Sequence, residues 1–280
     1  MKRFFILATA AIVALAACVK SEVVYKDGPQ QIAFKQVTGA MTKAPTDLAT
    51  SVSLGVIAHA GADLYFDNSP FTYVTDGWVN ANAFWPYEGA LTFTVYAPAG
   101  TASFADNALT ITGVTAADGL YYGTERITTT KVDVVPVLLK HVSAQITLNV
   151  DLGASYELDG ADALTLTAPT TAGDVTVTYG EPVTVATATA TTTTDLTLTS
   201  GTPVYVLPGA QTSIVVKFKQ TAAPNQEYTK TINLTEDSNA TWNANTKYTY
   251  NIGITAPDQI KFSAEVDEWD GPETEGATLN

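Results

Sequence analysis

The feature that most constrains this fold is a period-two alternation of apolar and polar residues that recurs along the chain. Residues 91–96 place Leu91, Phe93 and Val95 on one face, and residues 143–151 repeat the pattern. Successive side chains of a β-strand point to opposite faces of its sheet, so each such segment predicts a strand with one buried face. The same alternation occurs over residues 175–179, 196–198, 214–218, 228–234, 248–254 and 260–266. Because helical spacing is nearly absent, the chain is predicted to be all-β.

Turn-forming dipeptides separate these segments at short intervals, with Asp-Gly at Asp27, Asp76, Asp118 and Asp159. Many short antiparallel strands with one buried face are typical of β-sandwiches, whose sheets pack about 10 Å apart. A chain of 280 residues can hold two such domains. Aromatic residues are dense over 64–104 and sparse over 157–203, and we therefore predict a domain break near residue 131.

Threonine is concentrated between residues 165 and 199. A β-branched hydroxyl side chain suits the solvent face of a strand, because it is stiff and adds no exposed apolar patch. We therefore interpret this stretch as an outward sheet face. A glycosylated stalk is the alternative.

The N-terminus has the order of an export signal. Lys2 and Arg3 precede an uncharged apolar run over residues 4–17, which ends directly before Cys18, the only cysteine. A helix of this length spans about 21 Å, short of the ~30 Å hydrocarbon core, so a signal peptide is predicted and a membrane-spanning anchor is not. Leu-Ala-Ala-Cys resembles the bacterial lipobox, which predicts lipidation at Cys18. An ordinary secretory signal that ends near a cysteine is the alternative.

The chain shows no recognisable catalytic or metal-binding motif. A single cysteine excludes an internal disulfide, a multi-thiolate zinc site and an iron–sulfur cluster. His59 and His141 are far apart in the sequence, and His141 is predicted to be a strand residue satisfied by hydrogen bonds. The acidic group Asp267, Glu268 and Asp270 is interpreted as solvated. We predict a non-enzymatic protein without a cofactor. The net charge of −14 repels phosphate backbones and argues against a nucleic-acid partner.

Several motifs along the chain, taken in order, resemble the fimbrillin family of type V pilus subunits. After the lipobox these are Ile-Ala-Phe at 32–34, Thr-Lys-Ala at 42–44, the aromatic block 77–98, residues 137–146, residues 242–250 and residues 260–269. The resemblance implies two transthyretin-like seven-stranded β-sandwiches and export as a lipoprotein to the outer membrane. It also implies assembly with other fimbrial subunits by strand exchange, after a trypsin-like protease removes the first strand, and a role in adhesion at the cell surface.

On that resemblance the chain divides into a signal peptide (1–17), a lipidated leader (18–43), an N-terminal sandwich (44–130) and a C-terminal sandwich (131–280). The first exchanged strand would be residues 31–37, which carry Ile32 and Phe34 as alternate apolar residues.

Cleavage after Lys43 would remove this strand together with the lipid, because the strand lies between Cys18 and Lys43. Lys43 is the preferred site, since Thr-Lys-Ala-Pro has the composition of an exposed loop. Lys26 and Lys35 are competing sites. The sequence departs from the family in having no arginine at the expected cleavage position, which puts the processing in question.

The second exchanged segment would be residues 260–269, with Ile260, Phe262 and Val266. A supplied strand satisfies the backbone groups of an open sheet edge and fills pockets with alternate side chains. The alternative is that both segments pair within their own domain.

A different class of function is also open at this point. The protein could be a surface lipoprotein whose sandwich binds glycan, with Trp78, Trp85 and Tyr87 as a stacking platform. The block adjoins Pro86 and directly precedes an alternating strand, so core and corner packing is the favoured interpretation.

Overall fold

The computed structural model describes residues 29–36, 49, 51–75, 77–180, 185–234 and 241–269. These residues form β-strands and one 3₁₀ turn, Ala116–Asp118, which confirms the all-β prediction. The strands are β1 (Gln31–Gln36), β2 (Leu54–Ala60), β3 (Asp63–Val74), β4 (Gly77–Phe84), β5 (Leu91–Ala97), β6 (Ala102–Ala105), β7 (Ala108–Thr115), β8 (Tyr121–Gly123), β9 (Ile127–Thr129), β10 (Val135–Val137), β11 (Leu139–His141), β12 (Ala144–Leu152), β13 (Tyr156–Leu158), β14 (Leu164–Leu166), β15 (Thr170–Thr178), β16 (Val185–Thr193), β17 (Leu196–Thr197), β18 (Val204–Val206), β19 (Gly209–Ala210), β20 (Ser213–Gln220), β21 (Glu227–Asn233), β22 (Thr241–Trp242), β23 (Thr246–Ala256) and β24 (Gln259–Glu268).

The largest sheet has the strand order β10-β1-β4-β3-β2-β5-β8-β11, and β9 also pairs with β5. Strand β3 pairs with β2 over its first part, up to Phe71, and with β4 from Thr72 onward. The long strand therefore passes from one group of strands to the other. Side chains from both groups meet in a single apolar cluster, as in a β-sandwich.

The remaining strands form smaller sheets. Their orders are β18-β12-β23-β24, β16-β15-β7-β6 and β13-β20-β14-β17, with β21 also paired to β20 and a short β19-β22 pair. Strand β12 runs parallel to β23 from Gln145↔Lys247 to Leu152↔Ile254, and β24 returns antiparallel on the far side of β23.

Each segment that the alternation predicted lies in a strand to within one residue at either end. The clearest case is β5, in which Leu91 and Phe93 are fully buried. This strand differs from the prediction in one respect, because Thr94 and Tyr96 on its other face are also fully buried. Tyr96 belongs to a second apolar cluster, so β5 is covered on both faces.

Three apolar clusters make up the core. The first surrounds Phe34 and Phe93, the second surrounds Phe218 and Trp242, and the third includes Tyr96, Leu109 and Val175. The third cluster contains side chains of β7 and β15, which pair with each other. These two strands lie on opposite sides of the predicted break near residue 131. The division into sandwiches 44–130 and 131–280 stays a prediction.

The threonine-rich stretch forms β15, β16 and β17. Thr187 and Thr189 of β16 are exposed, whereas Ala186 is buried. This confirms the interpretation of the stretch as an outward sheet face.

Candidate functional site

Strand β1 lies between two strands that are remote from it in the sequence. It pairs antiparallel with β4, with Phe34 opposite Trp78, and parallel with β10, with Phe34 opposite Val135. A strand with partners on both sides contributes two rows of backbone hydrogen bonds. Removing β1 would therefore leave two open strand edges facing one groove.

The side chains of β1 fill this groove. Ile32 and Phe34 are fully buried. The Phe34 ring meets the rings of Phe71 and Phe93 edge to face, with centroids 5.0 and 5.1 Å apart. Such contacts add about 0.5–1.5 kcal/mol each to the stabilisation from burial. The predicted residues Ile32 and Phe34 are thus the two that anchor β1 in the core.

Backbone packing around β1 is close at Gly77, the first residue of β4. A Cβ atom placed on Gly77 would lie 2.7 Å from the backbone oxygen of Phe34, which is too short for a carbon–oxygen contact. The absence of a side chain at this position lets β4 lie directly beside β1. Sequence reasoning missed this role, because the Asp-Gly pair at 76–77 signals only a turn.

Two glutamines fix the start of β1. Gln31 Nε2 donates to the carbonyl of Asn80 at 2.8 Å, and Gln30 Nε2 donates to that of Val132 at 2.9 Å. The backbone N–H of Trp85 donates to the Gln30 carbonyl at 3.0 Å. The strand is therefore held by both of its neighbours before its apolar residues begin.

The second predicted segment forms β24, at the edge of its sheet. It pairs with β23 from Ala256↔Gln259 to Thr246↔Glu268. Within the part of the chain that the structure describes, no strand pairs with its outer edge. Ile260 and Phe262 are half-buried against the second apolar cluster, whereas Val266 is exposed. An edge strand of this kind is open to further pairing.

The end of β24 is attached to the rest of the chain by an ion pair, by hydrogen bonds and by ring stacking. Glu268 Oε1 accepts a hydrogen bond from Lys140 Nζ at 2.5 Å. The backbone N–H of Trp269 donates to the Asn245 carbonyl at 2.8 Å. The Trp269 ring also stacks on His141, with centroids 3.8 Å apart and planes 9° apart. Of the predicted solvated acidic group, Glu268 is thus in an ion pair, and Asp270 lies outside the described residues.

His141 lies in β11, as predicted, and is buried. Its backbone N–H donates to Asn245 Oδ1 at 3.2 Å. The prediction that hydrogen bonds satisfy its side chain is wrong. Nε2 has no hydrogen-bond partner among the described residues, and ring stacking holds the imidazole instead. Burial lowers the pKa of His141 to about 4, and the positive charge of Lys247 acts in the same direction. The ring is therefore neutral near pH 7.

The alternative of a glycan-stacking platform is wrong for its two tryptophans. Trp78 and Trp85 are buried, and only Tyr87 is exposed. Trp78 Nε1 donates to the Val52 carbonyl at 2.8 Å, and Trp85 packs edge to face on Phe93 with centroids 5.6 Å apart. Core and corner packing, the favoured interpretation, is confirmed for both tryptophans.

Several predicted residues lie outside the described part of the chain. These are the lipidation site Cys18 and the cleavage candidates Lys26 and Lys43. Lys35 is described and lies in β1, in register with Pro136 of β10. Its backbone sits in the middle of a sheet, which disfavours cleavage there.

The described residues contain neither a bilayer-spanning helix nor a cluster of metal ligands. No helix among them is long and apolar enough to span a bilayer. No group of three or more His, Cys, Asp or Glu side chains among them is placed to hold a metal ion.

This all-β chain is similar in fold to solved structures of candidate cell adhesion proteins and of a fimbrial protein. It resembles a candidate cell adhesion protein from Bacteroides uniformis, with a TM-score of 0.58 and 19% identity over 85% of this chain and 99% of that one. It also resembles a candidate cell adhesion protein from Bacteroides eggerthii, with a TM-score of 0.54 and 12% identity over 86% of this chain and 96% of that one. A fimbrial protein from Bacteroides vulgatus gives a TM-score of 0.53 and 15% identity over 86% and 99%. At these identities the likeness shows the fold alone.

Residues 36–269 match the family model described as fimbrillin-like. The match covers well over half of the chain, and the protein belongs to this family. Membership makes it a structural protein and not an enzyme. A search of curated proteins gave no significant match.

Proposed function

We propose that the protein is a subunit of a cell-surface fimbria and that β1 is the strand exchanged during assembly. The observation that carries the proposal is the position of β1, which is flanked by β4 and β10 and places Ile32 and Phe34 fully inside the core. A neighbouring subunit that supplied a strand in place of β1 would restore both rows of hydrogen bonds.

The donor strand in this proposal is β24. Its Gln259-Ile260-Lys261-Phe262 repeats the order of Gln31-Ile32-Ala33-Phe34, so both strands place Ile and Phe two residues apart after a glutamine. Residues two apart in a strand lie on the same face. Ile260 and Phe262 of one subunit would thus enter the positions that Ile32 and Phe34 fill in the next.

The energetics favour a stable joint. Burying a large apolar side chain stabilises by about 1.5–3 kcal/mol, and each net hydrogen bond adds about 1 kcal/mol. Two buried apolar side chains and the two hydrogen-bonded edges of the groove then give a contact between subunits that dissociates slowly. The donated β24 must first separate from β23, whose own edge it covers, and this cost slows spontaneous assembly before β1 is removed.

Export and processing complete the proposal. Lipid on Cys18 would tether the subunit to the outer membrane, and a trypsin-like protease would cut after Lys43 to release β1 with the leader. The order of the candidate residues supports this part of the proposal, because Cys18 precedes β1 in the sequence and Lys43 follows it.

The test is controlled proteolysis of the purified chain. Limited trypsin treatment is expected to yield a product that begins at Ala44 and forms an SDS-resistant ladder on gels. Lys43→Gln should prevent this cut, and Phe262→Ser should weaken the ladder after a normal cut. Tyr87→Ser, at an exposed position outside both strands, is the matched control and should polymerise as the wild type does. A product that begins at Ala44 and stays monomeric would contradict strand exchange.

A further inference from the structure

A cavity of about 360 Å³ lies beside the 3₁₀ turn, where the turn approaches the β12–β18 pair. Its volume is within the ~300–1,000 Å³ range of small-molecule sites in proteins. The wall includes Tyr121, His141, Ser143, Gln145, Tyr205 and Trp269. No Lys, Arg, Asp or Glu is among the described residues that line it.

Three rings of this wall form a stack, and a fourth packs against its end at a tilt of 40°. Trp269 lies between His141, at 3.8 Å, and Tyr205, at 5.4 Å with planes 6° apart. Tyr121 contacts His141 with centroids 4.3 Å apart. Tyr205 ends the stack and is 38% exposed. The stack thus offers a firm aromatic wall with an accessible ring at its outer end.

The polar groups of the wall are neutral and suit a hydroxyl-rich ligand. His141 is only 7% exposed and its Nε2 is buried from solvent, so it contributes its ring to the wall. The Ser143 hydroxyl donates to the Ala116 carbonyl at 2.8 Å, so its oxygen is still able to accept. Gln145 carries both a donor and an acceptor. A sugar hydroxyl both donates and accepts, and it can therefore pair with Ser143 and with Gln145.

We propose that this cavity binds one ring of a neutral sugar. The C–H face of a sugar ring packs on aromatic side chains, whose faces carry partial negative charge, while its hydroxyls would reach Ser143 and Gln145. The absence of a basic side chain in the described wall and the net charge of −14 disfavour an anionic ligand. The site differs from the tryptophan platform that the sequence suggested, since Trp78 and Trp85 are buried elsewhere.

The site goes beyond the proposed role in fimbrial assembly, because sugar binding is a different activity from strand exchange. Trp269 directly follows β24, so the wall is complete in a subunit whose β24 pairs with its own β23. Sugar binding can therefore be measured on unprocessed monomer, where the outcome is independent of polymerisation.

The test is ligand-observed NMR on the unprocessed chain with D-galactose, D-mannose and N-acetyl-D-glucosamine. N-Acetylneuraminic acid and indole serve as the anionic and the apolar probe. We expect saturable binding of at least one neutral sugar. Tyr205→Ala should weaken it about tenfold, because the accessible ring of the stack is lost. Tyr87→Ala removes another exposed tyrosine and should bind within about twofold of the wild type.

Tryptophan fluorescence gives a second readout. Trp78, Trp85 and Trp242 are buried away from the cavity, so a bound sugar should change the emission of Trp269. Trp269→Phe should keep a stacked ring and abolish this change. The proposal is overturned if no neutral sugar binds, if only N-acetylneuraminic acid or indole binds, or if Tyr205→Ala binds as tightly as wild type at an unchanged melting temperature.

Discussion

Phe34 of β1 and Phe93 of β5 pack edge to face with ring centroids 5.1 Å apart and planes at 89°. Three strands, β4, β3 and β2, lie between β1 and β5 in the order of the sheet. The two rings meet because the long strand β3 carries the sheet from one layer to the other. The exchanged strand of the proposal is therefore a central part of the core, although it is the first described strand of the chain.

Replacing Phe34 with alanine is expected to destabilise the protein by about 3–5 kcal/mol, since it leaves a cavity against Phe71 and Phe93. Urea unfolding followed by circular dichroism measures the change. Lys35→Ala is the matched control, because Lys35 is the exposed neighbour on the same strand, and it should cost about 0.5 kcal/mol or less. Equal effects of the two substitutions would show that β1 is not packed in the core in solution.

Replacing Gly77 with alanine tests the close approach of β4 to β1. The new Cβ would lie 2.7 Å from the Phe34 carbonyl oxygen, which is backbone and must shift. We expect a loss of about 1–3 kcal/mol, as for other overpacked sites. Differential scanning calorimetry of the purified variant measures it.

Gly253 of β23 provides the control for this substitution. A Cβ placed there meets nothing closer than the Cβ of Lys261 at 3.7 Å, an ordinary contact. Gly253→Ala should leave stability unchanged or raise it by up to about 1 kcal/mol, because alanine lowers the conformational entropy of the unfolded chain relative to glycine. If both glycine variants behaved alike, the contact between Gly77 and Phe34 would not exist in solution.

The sequence was sufficient to predict the all-β class and the longer strands, because half-buried strands carry a period-two pattern that three or four side chains reveal. Short strands such as β8 and β10 span three residues, which is too few for a repeat to be recognised. The double burial of β5 was also missed. Its second face packs on a cluster built from β7 and β15, and that contact depends on tertiary structure.

Only those parts of the candidate site that depend on residues close together in the sequence were predictable. Ile32 and Phe34 stand out as alternate apolar residues, and so do Ile260 and Phe262. The parallel pairing of β1 with β10 leaves no trace in either segment, since a register with a remote strand is set by the fold. The stacking of His141 on Trp269 was missed for the same reason, and hydrogen bonding was predicted in its place.

Replacing Trp269 with alanine is expected to loosen the end of β24. The substitution removes the stacks on His141 and Tyr205, each worth about 0.5–1.5 kcal/mol beyond burial. Hydrogen exchange followed by mass spectrometry should show faster exchange near Glu268 and little change near Ile260, at the other end of the strand. Val266→Ala, at an exposed position of the same strand, is the control and should exchange as the wild type does. Uniformly faster exchange along β24 would contradict a local role for Trp269.

Protonation of His141 should make stability depend on pH between about 4 and 6.5. Burial lowers the pKa of His141 to about 4 in the folded chain, whereas the unfolded value is near 6.5. Between these values the unfolded state binds more protons, so stability rises with pH through the window. The contribution is complete above about pH 6.5, falls as the pH drops towards 4, and amounts to about 2–3 kcal/mol.

His141→Phe keeps a ring against Trp269 and cannot titrate. The difference between wild type and this variant in urea unfolding should therefore change across pH 4–6.5 and stay constant above it, while carboxylate titration cancels because both proteins share it. A difference that is the same at pH 4.5 and pH 7 would show that His141 is not buried and neutral in the folded protein.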